Sequence, residues 1–289
     1  ECLSESIFGG RDTTIHRTET SYYVYSELDL KEDSELAFGL RSTSHTHYDN
    51  KILFSSSYLY KINNNYNLRV SYGDGYRVPS IKELYYKMLD HDPHVYGSAD
   101  LKASESSYYS ISIDKYDKNE FSLNIYLNKI KNMISTQLEN DILYYGNYDN
   151  VTIKGFNMHY SRQIFPKILL KFVYNYSYPE SNSNEILEGI SKHSFRIQQL
   201  FNVSDKHALN LNLKYLGSKY NYNQIEEEYV KLKSFWITDF LWSYKEDKFG
   251  ITCGIKNMFN YKDKNRIDSD ILTTYNPGRR IYFNLSFSY

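Results

Sequence analysis

The segment Asp90-His91-Asp92-Pro93-His94-Val95-Tyr96 concentrates the side chains best suited to chemistry. Two imidazoles stand three residues apart, with two carboxylates beside them and a phenol just beyond. Imidazole and carboxylate donors in such a His-x-x-His setting suit Zn²⁺ or Cu²⁺. The same residues also make an ordinary solvated loop, and the local sequence leaves both readings open. His45 and His47 stand at the end of an extended segment, where a ligand could reach them, although such residues are more often solvated. Tyr144, Tyr145, Tyr220 and Tyr222 could stack on a flat ligand or form an interfacial aromatic belt. Glu226-Glu227-Glu228 reads as a solvated acidic run. Catalysis has weaker support: the chain has no Gly-x-Ser-x-Gly elbow, no His-Glu-x-x-His and no phosphate-binding loop motif. No catalytic residue is assigned. A Ser, His and Asp set assembled from adjacent strands would escape a linear scan, which keeps a barrel hydrolase as a minor alternative.

Composition narrows the class of scaffold. The chain has 289 residues, with 34 Lys+Arg against 35 Asp+Glu. That balance, with no basic run, argues against a nucleic-acid partner. The two cysteines, Cys2 and Cys253, exclude a disulfide framework and a Cys-based zinc site but leave a single pairing open. The outlier is Tyr, at 32 residues, beside 15 Phe and only 2 Trp. Tyr has an apolar body and a polar tip, which suits a boundary between lipid and water. No apolar run reaches the eighteen residues of a membrane helix. The mean hydropathy of -0.62 does not conflict with a membrane β-barrel, where half of each strand and every loop is polar. Glu1-Cys2-Leu3-Ser4 has no signal-peptide features, so either processing removed one or the chain is a piece of something longer.

Period-2 alternation recurs from end to end. Ile281, Phe283, Leu285, Phe287 and Tyr289 alternate with Tyr282, Asn284, Ser286 and Ser288. Leu209, Leu211 and Leu213 alternate with Asn210, Asn212 and Lys214. Phe121, Leu123, Ile125 and Leu127 alternate with Ser122, Asn124, Tyr126 and Asn128. β-Branched and aromatic residues dominate these segments, and helical spacing fits them poorly. The pattern predicts about thirteen strands, near 19–30, 34–46, 50–61, 65–75, 104–116, 119–134, 151–162, 167–178, 190–203, 206–220, 230–244, 248–258 and 279–288. Most are long enough to cross a bilayer when tilted, which takes about 9–11 residues.

The connections alternate in length. Short turns fall at 62–64, 117–118, 163–166, 204–205 and 245–247, and long links at 76–103, 135–150, 179–189, 221–229 and 259–278. Only 47–49 is short where a long link is expected. Outer-membrane barrels keep short turns in the periplasm and long loops outside the cell. The five prolines all fall in or beside connections. The fold class predicted is therefore all-β: an antiparallel transmembrane β-barrel in the cell outer membrane, with lipid as its first partner and one domain spanning 1–289.

Four segments carry a family resemblance. Tyr72-Gly73-Asp74-Gly75-Tyr76-Arg77-Val78-Pro79-Ser80-Ile81-Lys82-Glu83-Leu84-Tyr85 resembles the "YGxGFRAPSxKELY" segment of TonB-dependent outer-membrane receptors. Gly97-Ser98-Ala99-Asp100-Leu101-Lys102 is similar to a degraded form of their "GNPDLKPE" box. Ile255-Lys256-Asn257-Met258-Phe259-Asn260 resembles "VKNLFD", and Pro277-Gly278-Arg279 resembles the "PGR" entry to the last strand. The aromatic at the end of that strand resembles the terminal signal of outer-membrane barrels. The resemblance implies the C-terminal part of a 22-stranded barrel, with the plug domain and the TonB-contacting segment absent. It marks Tyr76, Arg77, Pro79, Asp100 and Leu101 as family-motif residues. It implies a receptor that is not an enzyme, that captures an iron chelate such as haem or a siderophore at extracellular loops, and that works with a plug and the TonB system. In haem receptors of this family a histidine lies between the two boxes. His91 and His94, with Tyr96 a further candidate, are thereby implied as ligands of haem iron, with haem a transported ligand rather than a resident cofactor; both donor types serve as axial ligands. A fragment of this kind would expose open strand edges. The alternative function is a barrel that does not transport: an adhesin, a pore or a truncated remnant.

Overall fold

Each alternating segment pairs with the next one in the chain. The structure is a computed structural model that describes residues 2–3, 15–88, 94–139, 142–182, 187, 189–223, 228–262 and 278–287. Thirteen antiparallel strands follow one another in sequence order across one sheet. They are β1 (Glu19–Lys31), β2 (Ser34–His45), β3 (Lys51–Asn63), β4 (Tyr66–Arg77), β5 (Ser104–Lys115), β6 (Asn119–Glu139) and β7 (Ile142–Phe165). β8 (Ile168–Ser181), β9 (His193–Asn202), β10 (His207–Leu216), β11 (Phe235–Lys245), β12 (Phe249–Lys256) and β13 (Arg280–Phe287) complete the path. The expected strands correspond one to one with these. The sheet does not close on itself, so β1 and β13 form its two edges.

Register turns the sequence alternation into continuous bands. Leu36 pairs with Tyr58, Tyr58 with Val70, Val70 with Ile111, Ile111 with Ile125 and Ile125 with Phe156. Further along, Leu211 pairs with Phe240, Phe240 with Ile255 and Ile255 with Ile281. A one-residue slip anywhere would move a strand's apolar set to the other face, so the band itself fixes register. These apolar residues are exposed: Val70, Ile111, Ile125, Phe283 and Phe287 are all open on this face. A contiguous apolar belt on so many strands is far larger than a soluble monomer displays. The opposite face carries Ser57, Arg69, Ser112, Asn124, Asn157 and Asn212, knitted by bonds such as Arg69 Nη1 to Ser57 Oγ at 3.0 Å. Among the described residues the buried hydrophobic cluster is not central but lies at the end of the sheet where the long connections gather, while a few buried residues such as Ser34 and Leu59 lie near the short turns.

The short connections share one end of the sheet and are closed by side chains. Asn63 Oδ1 accepts from the Asn65 and Tyr66 amides at 2.9 and 3.0 Å. Ser204 Oγ accepts from the Lys206 and His207 amides. Such local acceptors satisfy amides that the ladder cannot.

Three expectations need correction. The segment 135–150 is not a loop: β6 and β7 have 21 and 24 residues against 8 to 14 in the other wall strands, and they stay paired out to Glu139 with Ile142. β5 and β8 stop pairing near Lys131 and Val151, so the hairpin projects well past its neighbours. The flanks of 221–229 pair as a second hairpin, Lys219–Asn223 with Glu228–Leu232. The link 76–103 holds a helical turn, α1 (Ile81–Tyr85), and the short strands Lys87–Met88 and His94–Tyr96. Most of 259–278, the acidic Glu226 and Glu227, and the terminal Tyr289 lie outside the described residues. Cys253 is a free thiol on the apolar face, paired in register with Trp242 and Phe283.

A cation placed in the middle of the apolar belt should be costly. Ile125→Lys is expected to lose about 2–4 kcal/mol of stability in a bilayer, whereas Asn124→Lys on the opposite face should lose less than about 1 kcal/mol. Equilibrium unfolding in lipid vesicles measures both.

Candidate functional site

The motif residues converge where the long connections gather, and they act as a clamp. β4 ends at Arg77, and Val78 and Pro79 turn the chain inward, both buried. Ser80 then caps α1. Its Oγ accepts from the Glu83 amide at 3.2 Å while Glu83 Oε2 accepts from the Ser80 amide at 2.7 Å. This reciprocal capping box allows so short a helix to hold its shape. Arg77 Nη1 donates to both Glu83 carboxylate oxygens at 2.9 Å, tying the strand end to the helix. Tyr76 donates its phenol to the Asp49 carbonyl at 3.1 Å, and Arg17 donates to the Pro79 carbonyl. Pro79 and Tyr76 therefore anchor the neighbouring link and the segment that precedes β1.

The second box locks onto the first. Leu84, Leu101 and Ile134 form the buried cluster, with Tyr145 packed against it. Burial is the main cause that raises the Tyr145 phenol's pKa above its ordinary value, with Glu83 adding to it. Tyr145 is thus part of a packed floor and not the free loop tip expected for stacking. Gly97 lies against the α1 backbone, where a Cβ would come within 2.6 Å of the Leu84 carbonyl carbon and the Tyr85 nitrogen. That close approach accounts for the glycine. Ser98 N donates to Glu83 O at 2.9 Å and Gly97 N to Tyr86 O at 2.6 Å. Asp100 is exposed in the turn leading to Leu101.

The projecting hairpin is fastened to the same clamp. Asn147 Nδ2 donates to the Lys102 and Asn132 carbonyls at 3.1 and 2.9 Å, and its Oδ1 accepts from the Lys102 amide at 2.9 Å. Ser104 Oγ donates to Asn132 O at 2.7 Å. Asn132 has a positive φ of 52°, a conformation that Asn tolerates better than most residues. Tyr48 donates to the Leu101 carbonyl at 3.1 Å. The motif residues therefore hold a raised hairpin and a folded loop together as one rim.

Of the iron-ligand candidates, His94 and Tyr96 lie on a described segment of this rim. The backbone of His94–Tyr96 runs parallel to Ile142–Tyr144 and antiparallel to Lys87–Met88, extending the hairpin by two short strands. Tyr96 is half-buried there, while Val95 is buried. His91, Asp90 and Asp92 lie outside the described residues. Among the described residues no group of three His, Cys, Asp or Glu could hold a metal ion.

His45 departs from the solvated residue expected of it. It is 8 % exposed, packs edge-on against Tyr48 at 5.2 Å between ring centroids, and accepts the His47 amide at Nδ1. It packs against the rings of His47 and Tyr48 in the link that follows it, a local contact that no alternation pattern displays. Burial, followed by the positive charge of Arg17, lowers its pKa below the ordinary 6.5.

Comparison with known proteins places this architecture. Residues 4–258 match the family model for a TonB dependent receptor-like β-barrel. The ferric enterobactin receptor of Pseudomonas aeruginosa superposes with a TM-score of 0.79 at 17% identity, covering 96% of this chain and 46% of that one. A siderophore receptor of Acinetobacter baumannii gives 0.79 and 17%, covering 99% and 48%. A siderophore receptor of Pseudomonas aeruginosa gives 0.75 and 14%, covering 100% and 49%. At these identities the likeness is one of fold, and the chain spans about half the length of the solved structures it matches. Proteins of this fold and family are receptors and transporters of the outer membrane rather than enzymes.

Loosening the clamp should free the loop without unfolding the sheet. Leu101→Ala is expected to cost about 2–3 kcal/mol locally, and Gly97→Val should act through the α1 contact. Limited proteolysis should then cut between 86 and 103 many times faster, with strand content by circular dichroism unchanged. The His45 shift also fixes a sign. Its pKa is lower folded than unfolded, so its stabilising contribution is complete above about pH 6.5 and declines as pH falls toward the lowered value. An NMR titration should place the His45 midpoint below that of an unfolded histidine, and Tyr48→Ala should raise it.

Proposed function

The chain belongs to the TonB dependent receptor-like β-barrel family, and from that premise we propose that it forms wall and rim of an outer-membrane receptor that captures an iron chelate for uptake. The observation that carries the reading is the clamped rim: the family's motif residues raise a paired hairpin and a folded loop at the end of the sheet where the long connections gather. A docking surface for a bulky chelate needs such pre-organised backbone, because ordering free loops on binding would cost affinity. Solved proteins that share the fold include siderophore receptors and a ferric enterobactin receptor in complex with enterobactin. Transport would further require a plug and the TonB system. His91 and His94, with Tyr96, remain our candidates for haem iron, since 94–96 run along the raised hairpin.

Binding to the chain in outer-membrane vesicles separates the ligands. A ferric siderophore of the catecholate class or haem should bind saturably, and Leu101→Ala should weaken binding at least tenfold by loosening the rim. If haem is the ligand, its Soret shift should disappear in the His91→Ala/His94→Ala protein. No saturable binding of either chelate would overturn the proposal.

A further inference from the structure

The link 46–50, between β2 and β3, is fastened at four successive residues. The Thr46 amide donates to the Thr18 carbonyl at 3.2 Å, in the segment before β1. The His47 amide donates to His45 Nδ1 at 3.1 Å. The Tyr48 phenol reaches past β3 and β4 to the Leu101 carbonyl, and the Asp49 carbonyl accepts from the Tyr76 phenol, both at 3.1 Å. The link is thus a strap that joins the start of β1, the end of β2 and both motif segments. Amides and phenols keep their protons near neutral pH, so of the four fastenings only the one on His45 has a partner that titrates there.

The surroundings of His45 have no place for an imidazolium. Nδ1 accepts the His47 amide, so the ring proton sits on Nε2, which is buried and has no hydrogen-bond partner among the described residues. A second proton would have to go on Nδ1, where it would meet the His47 N–H donor to donor, and the bond would be lost. Nor is a counter-charge at hand. Arg17, which donates to the Pro79 carbonyl, brings like charge from the segment before β1. Glu19 of β1 is the carboxylate whose field reaches the ring, and its Oε1 already accepts from Arg41 and Thr43, both at 3.3 Å. From the link, the His47 ring stands 6.2 Å away between centroids and the Tyr48 ring 5.2 Å away. On the β3 side Lys51 is paired with Glu105 at 2.8 Å, and Asp49 acts on that lysine. A buried cation with no acceptor and a like charge nearby is disfavoured.

We propose that His45 is a proton-operated latch of the rim: neutral, it holds the strap closed, and protonated, it lets the strap go. The step takes one proton from water and breaks one hydrogen bond, His47 N–H to Nδ1. An imidazolium then has to move out toward solvent, past the Tyr48 ring that packs edge-on against it. Tyr48 and Tyr76 carry the release to the Leu101 carbonyl and to the end of β4, so both motif segments lose an anchor at once. The released state binds one proton more than the closed state. The grip is therefore complete above about pH 6.5 and weakens as pH falls below it. Capture at the rim should follow, firm at neutral pH and slack in acid. That consequence rests on the receptor reading proposed above, whereas the latch rests on the strap alone.

Hydrogen exchange of the full chain in outer-membrane vesicles, corrected for the intrinsic effect of pH on amide exchange, reads the latch. Between about pH 7.5 and about pH 5.5, protection at 46–50 and 97–103 should fall about tenfold in wild type, the size one linked proton allows, while the wall strands stay protected. His45→Asn offers an oxygen where Nδ1 stood and cannot be protonated, so its strap should stay protected at both pH values. Glu19→Gln removes the charge that favours the cation and keeps an acceptor for Arg41, so its midpoint should move to lower pH. Should His45→Asn fail to fold, the wild-type and Glu19→Gln profiles decide the matter. Acid-dependent exchange in His45→Asn equal to wild type, an unmoved midpoint in Glu19→Gln, or no acid-dependent exchange at 46–50 in wild type would overturn the latch. Ferric catecholate binding measured on the same vesicles reads the consequence. Binding that weakens with the loss of protection supports regulation of capture, and binding indifferent to it would overturn that regulation. No binding at either pH would overturn the receptor reading and leave the latch standing.

Discussion

Backbone pairing in the absence of water governs this molecule. Inside hydrocarbon an amide or carbonyl without a partner costs several kcal/mol, so every spanning segment must pair along its length. The chain meets that demand with strands joined in sequence order, each hydrogen-bonded to the next. Once register is set, side chains divide by parity. Odd positions of β6, such as Leu123 and Ile125, join the apolar belt, and even ones, such as Ser122 and Asn124, face the polar side. No buried core is needed to hold the wall together, and the largest buried cluster lies at the rim. The same rule applies to the two edges, β1 and β13, whose outer ladders must find partners wherever the sheet meets lipid.

Above the belt the constraint changes, because water can satisfy the backbone and apolar contact with lipid is lost. Order there has to come from specific packing and side-chain hydrogen bonds. The Arg77–Glu83 pair, the Ser80 capping box, the Gly97 contact with α1 and the Asn147 bridge supply it. Functionally, the motif residues are a fastening device, and the ligand candidates are carried on what they fasten.

The difference between belt and rim also explains what could be read from the sequence. All thirteen wall strands were legible, because period-2 hydrophobicity is strong where one face meets lipid and the other does not. The signal fades past Lys131 in β6 and before Val151 in β7, where both faces meet water or protein, so a paired hairpin there reads as a loop. The strands expected over 206–220 and 230–244 contain the outer ends of a second hairpin, Lys219–Asn223 with Glu228–Leu232, that the sequence reading did not separate from the wall. Alternation marks a solvent boundary more faithfully than it marks a strand. At the rim, the family segments were legible as words, but their mechanical role needed the contacts. The docking of Tyr145 on the cluster of Leu84, Leu101 and Ile134 joins residues far apart in sequence, and even the nearby contact of His45 with Tyr48 follows no alternation that could be read.

The parity of the wall strands can be measured directly. Single cysteines at each position from Phe121 to Leu127, in a chain with Cys2 and Cys253 replaced, would carry spin labels in lipid vesicles. Relaxation by oxygen dissolved in the bilayer should be strong at 121, 123, 125 and 127 and weak at 122, 124 and 126, with a water-soluble nickel chelate giving the reverse. A profile without alternation, or one in which the aqueous reagent reaches every position equally, would contradict the membrane wall on which the rim and the receptor role stand.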